Sequence, residues 1–100
     1  MISTPTTTTG DAVVDFLSDQ LKVQSRTLLR LVDIHGRSPY SVAPEQISAA
    51  AIRTQHTFAL ATAAAERSCC TIGSDSCFGQ ALIEYFQASG RAREALPDAA

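Results

Sequence analysis

Charge is scarce in this chain: Asp, Glu, Lys and Arg together make 18% of 100 residues, and the formal net charge is −2. A nucleic-acid surface needs clustered Lys and Arg to displace phosphate counterions. The basic residues are instead scattered, with Lys22 the only lysine, and Arg26 and Arg30, one helical turn apart, are the nearest approach to a basic stripe. No nucleic acid is therefore expected as a partner. Long apolar runs are missing as well. No stretch approaches the roughly 18 consecutive apolar residues that a bilayer-spanning helix requires, so no membrane partner is expected. The sequence also lacks a G-x-S-x-G elbow, a P-loop and a dinucleotide-binding fingerprint. Neither an enzyme nor a cofactor is indicated.

Cysteine and histidine are few and poorly spaced for metal. Cys69, Cys70 and Cys77 form C-C-x6-C, and adjacent helical residues diverge by about 100°, so Cys69 and Cys70 cannot serve one ligand. A zinc site would need a fourth ligand and tighter spacing, and His56 is more than three turns from Cys69 on the same predicted helix. A disulfide from Cys69 or Cys70 to Cys77 would staple two helix ends with a short loop. In a reducing compartment the same thiols pack as small hydrophobes. His35 is expected to interact favourably with a helix C-terminus, and His56 to lie on a surface. Neither is placed to activate a nucleophile.

What is present is helical periodicity. Residues 1–10, Thr-rich and without an apolar segment, are read as a disordered arm rather than a secretory signal, and a cytoplasmic location is expected. Residues 11–96 are read as one all-α domain, a small antiparallel three-helix bundle with helices at about 11–35, 44–70 and 75–95, followed by a tail at 97–100. In the first helix Val13, Val14, Leu17, Leu21, Leu28, Leu31 and Val32 share one arc, which is the expected core face. Gln24, Ser25, Arg26 and Thr27 form a polar waist across it. Asp11 is the expected N-cap and Gly36 the expected stop. The loop 36–44, with Gly36, Pro39 and Pro44, separates helices one and two, and Pro44-Glu45-Gln46 suits a first turn. Helix two carries an Ala-rich stripe with Ile47 and Phe58 as its bulk. Phe78, Ala81, Leu82, Tyr85 and Phe86 form the expected inner face of helix three. Short connections make sequential helices antiparallel.

The first helix has more apolar side chains than one arc accommodates. Opposite the expected core face lie Ala12, Phe16, Val23 and Ile34, interrupted by Asp19 and Arg30, and Leu29 leans toward their edge. A mixed apolar and charged face of this kind suits a reversible protein interface, and an aromatic such as Phe16 suits its anchor. The plain alternative is that the arm or the tail covers it. In size, helicity and lack of catalytic chemistry the chain resembles small bacterial proteins that antagonise a larger protein, the anti-activators of transcription factors and phage-encoded inhibitors. The resemblance is one of proportions and transfers no residues. It implies a regulator that blocks or sequesters another protein, a transcription factor or other regulatory target, and a homodimer fits the same face. Two further classes are a secretion-associated or exported helical subunit and a thiol or metal sensor using Cys69, Cys70 and Cys77.

Overall fold

A computed structural model describes residues 12–68 and 77–96. These form three α-helices in sequence, α1 (Ala12–Arg37), α2 (Pro44–Ser68) and α3 (Cys77–Ala95). The protein is an all-α three-helix bundle. The expected cap Asp11, the Thr-rich arm, and Cys69 and Cys70 lie outside the described residues.

α1 is the central element. It packs extensively against both other helices, whereas α2 and α3 touch each other far less. Its buried residues are Val14, Ser18, Leu21, Ser25, Leu28 and Val32, spaced alternately four and three apart. Alternating steps of this kind are the 3.5-residue repeat that keeps one seam facing its neighbours, with helices crossing at a shallow angle. The same alternation recurs in Ile47, Ala50, Thr54, Thr57, Ala61 and Ala64 of α2 and in Phe78, Ala81, Tyr85, Ala88 and Ala92 of α3, all buried. Two contacts set how α1 lies along α3. Asp19 meets Cys77 and Arg26 meets Glu84, each pair 58 residues apart. A constant offset means that α1 and α3 run parallel, with α2 antiparallel between them in sequence.

The buried serines correct the expected core face. Val13 was placed in the core arc by its neighbours Val14 and Leu17, yet it is 57% exposed. Ser18 and Ser25 lie on the far side of Leu21 and Leu28, and burying them turns the seam by roughly 50° from the centre of the apolar arc, at about 100° per residue. Leu17 and Leu31 move to the edge and are half-buried, and Val13 leaves the core altogether. Small side chains explain the preference. Ser, Thr and Ala along three facing seams let the backbones come close, which larger residues would prevent.

The polar members of the seam are mostly satisfied locally. Ser18 Oγ donates to the Val14 carbonyl at 2.7 Å and Thr54 Oγ1 to the Ala50 carbonyl at 2.7 Å. Thr57 Oγ1 donates across the helix pair to Gln24 Oε1 at 2.7 Å. The waist therefore does turn inward in part: Gln24 and Ser25 face the seam, while Arg26 reaches outward to Glu84. Among the described residues Ser25 Oγ is fully buried with no hydrogen-bond partner.

This polar layer lies between apolar clusters. At one end Val14, Ala61, Ala64, Ala65 and Phe78 pack together. Leu21, Ala81 and Tyr85 fill the middle with Phe58 and Leu82 against them. At the loop end Leu28, Val32, Val42, Ile47, Ala88 and Ala92 make the largest group. Val42, in the connecting loop, is 5% exposed and plugs that end.

The connection itself departs from the expected stop. α1 runs through Gly36 to Arg37, with Ser38 N–H still donating to the Ile34 carbonyl. Ser38, Pro39, Tyr40 and Ser41 then form a turn closed by Ser41 N–H to the Ser38 carbonyl at 3.0 Å, with Pro at the position where its fixed φ is favoured. α2 opens at Pro44 as expected, and Gln46 Oε1 accepts the Ala43 N–H at 2.7 Å. That is the reciprocal half of a capping box, with Ala43 in place of the usual hydroxyl residue. Gly90 is an interior residue of α3.

Candidate functional site

The face of α1 turned away from α2 and α3 follows from the seam. Residues displaced by half a turn from Val14, Leu21 and Leu28 must face outward, and these include Phe16, Asp19, Val23 and Arg30. Phe16 is 62% and Val23 58% exposed, and Asp19 and Arg30 are exposed beside them. With Ala12, also exposed, one face thus holds five of the seven residues singled out in the sequence. The other two sit differently. Leu29 and Ile34 are half-buried and pack against the core cluster at the loop end. Leu29 also borders a shallow depression on the α3 side, with Phe86 and Gly90. Ile34 is drawn in where the chain turns back after Arg37, and His35 holds that turn. Its Nδ1 lies 2.8 Å from the Val42 carbonyl. A carbonyl only accepts, so Nδ1 carries the proton in this contact. His35 clasps the loop, a more specific role than the helix-end interaction expected of it, and His56 is exposed.

The charges on this face change sign along the helix, with Lys22 and Asp33 at its edge running the other way. Asp15 and Asp19 lie in its N-terminal half, Arg26 and Arg30 in its C-terminal half. Arg26 grips Glu84 of α3 with both a 2.7 Å contact from Nε and a 3.0 Å contact from Nη2. Hydrogen bonding to Glu84, and then its charge, raises the Arg26 pKa further above its usual value. This bidentate pair ties the edge of the outer face to α3.

Cys77 opens α3 and is buried. Its thiol lies 3.7 Å from Asp19 Oδ1. Burial is the main cause that pushes the thiol pKa up, with Asp19 and Asp15 adding to it and Lys22 and the Ser18 hydroxyl opposing. A raised thiol pKa leaves less of the nucleophilic thiolate, the reverse of what a reactive sensor cysteine needs. The proposed bridge from Cys77 to Cys69 or Cys70 involves residues outside those described. Among the described residues no three His, Cys, Asp or Glu side chains are grouped to hold a metal ion, and no helix is long and apolar enough to cross a membrane.

A second exposed apolar feature departs from the inner face expected of α3. Phe86, expected on the inner face of α3, is 60% exposed. It lies one residue beyond the seam position Tyr85 and so points about 100° away from it. Phe58 and Tyr85 stack with centroids 4.3 Å apart, and Phe86 meets Phe58 edge-on at 5.7 Å. The cluster joins α2 and α3 where those helices otherwise meet little. The heptad alternation 78, 81, 85, 88, 92 was the signal that separates Tyr85 from Phe86. No protein-family model, curated protein or solved structure matches the chain.

Proposed function

We propose that this protein is a helical binding protein that blocks or sequesters a larger partner protein, using the outer face of α1 and acting by occupation rather than by catalysis. The observation that supports this reading is the exposure of Phe16 and Val23 at 62% and 58% on one face of the central helix. α1 already buries a full seam against two helices, so this second face is not required to hold the bundle. Single exposed apolar residues are ordinary, but a Phe and a Val two turns apart on one helix, flanked by charges, form a patch with an aromatic anchor and a polar rim. Such a face fits a groove on a regulatory protein and excludes whatever that groove otherwise binds.

The test is the Phe16→Asp variant. An exposed position tolerates a charge, so the circular dichroism spectrum and melting temperature should stay close to those of the unaltered protein. In affinity purification from the native host, one protein retained by the unaltered chain should be lost with the variant. Capture that is indifferent to Phe16→Asp in a folded variant refutes the assignment of the face.

A further inference from the structure

We infer that the outer face of α1 also binds a second copy of itself, antiparallel, about a two-fold axis that passes at the level of Val23. This rests on reading that face as a docking surface and adds a particular occupant to it. The observation that points to a second copy is the order of charge along the helix. On the face itself the acid Asp19 precedes Val23 and the arginines Arg26 and Arg30 follow it, while at the edge Lys22 and Asp33, the latter paired with Arg37, run the other way. A parallel pair would set Asp19 against Asp19 and Arg30 against Arg30. An antiparallel pair sets each acidic half against a basic half, twice, because a two-fold interface repeats every contact.

The register follows from residue spacing. With Val23 on the axis, residues equally far before and after it lie at the same level. Phe16 and Arg30 are each seven residues from Val23, so the guanidinium of one copy lies over the ring of the other, a cation–π arrangement. Arg30 of the second copy also lies within about three residue rises, ~4.5 Å, of the level of Asp19, while Arg26 stays with Glu84 of its own chain. Rotation about the axis keeps Asp19 and this Arg30 on the same side of the seam. Arg30 of the second copy arrives between the levels of Asp15 and Asp19. The two valines meet at the centre. Outer-face residues Ala12, Phe16, Asp19, Val23, Arg26 and Arg30 are spaced alternately four and three apart, the same 3.5-residue repeat as the inner seam, so a straight partner helix can follow them along the length of α1. One helix face is smaller than the roughly 800 Å² per partner of a standard interface. The pair is therefore reversible, and a target protein competes with it for the same residues.

Analytical ultracentrifugation from micromolar to near-millimolar concentration tests this with two charge reversals. The unaltered chain should pass from the one-chain to the two-chain mass. Asp19→Arg and Arg30→Asp should each raise the midpoint concentration by at least about tenfold. An equimolar mixture of the two variants should recover the two-chain mass, because one end of the mixed pair keeps the original charges and the other sets Arg against Asp. That recovery also shows that both variants are folded. A one-chain mass throughout for the unaltered protein overturns the inference, as does a dimer that neither reversal weakens. Failure here is separable from failure of the docking reading. A monomer that still loses its captured target on Phe16→Asp refutes self-pairing alone, whereas a charge-dependent dimer whose capture ignores Phe16→Asp refutes the blocking function alone.

Discussion

Replacing Ser25 with alanine should make this protein more stable, although it deletes a polar group from the polar waist of α1. Ser25 is 0% exposed, and its hydroxyl has no hydrogen-bond partner among the described residues. A buried hydroxyl without a partner carries its desolvation cost uncompensated, about 1–3 kcal/mol. Alanine also has the better helix propensity, by a few tenths of a kcal/mol. The lost oxygen leaves a small gap that offsets part of this, so the net gain is about 1–2 kcal/mol. For a domain of this size each kcal/mol raises the melting temperature by about 4–8 °C. Ser18 supplies the internal control, since it is equally buried but donates to the Val14 carbonyl at 2.7 Å. Ser18→Ala gains the same helix propensity and loses a satisfied bond, so it should be close to neutral. Urea unfolding followed by circular dichroism measures both, and the midpoint should rise for Ser25→Ala with an unchanged slope. If Ser25→Ala falls below the unaltered protein, or if the two variants behave alike, the hydroxyl is not an uncompensated group and the account of the seam is wrong.

Two other perturbations probe the ends of the bundle. Val42→Ala removes two buried methyl groups from the loop-end cluster and should cost about 1.5–2 kcal/mol at ~0.8 kcal/mol per group, read as a lowered urea midpoint; no loss would mean that the loop does not seal the core. The Cys77 thiol should react slowly with alkylating reagents at neutral pH in the folded protein and quickly once denatured, because burial holds its pKa up. The sign for stability follows. The folded state favours the protonated thiol, so this contribution is intact below the ordinary thiol pKa and is lost as pH rises through the raised value. Stability should decline in the alkaline range, and Cys77→Ala should flatten that decline; an unchanged alkaline profile would count against it.

The class of the fold was written in local signals that need no tertiary context. Apolar residues repeat at helical spacing, Pro39 and Pro44 interrupt them, and the Gln46 side chain caps a helix that begins at a proline. Each of these acts over a few residues, and so the three helices and the loop between α1 and α2 are legible from the chain alone. The outer positions of Phe16, Asp19, Val23 and Arg30 were legible for the same reason, because helical geometry sends them away from Leu21 and Leu28.

Only packing decided which arc of each helix is innermost. An apolar arc in the sequence can be satisfied by several rotations of the helix, and the choice among them depends on how closely the partner backbones can approach. Ser18, Ser25, Thr54 and Thr57 are polar in isolation, yet their small size makes them the better seam, and their inclusion expels Val13 and Phe86 to the surface while drawing Val42 inward. Side-chain chemistry sets whether a residue can form part of a helix, but the distance between backbones, a property of three helices together, sets which side chains are enclosed.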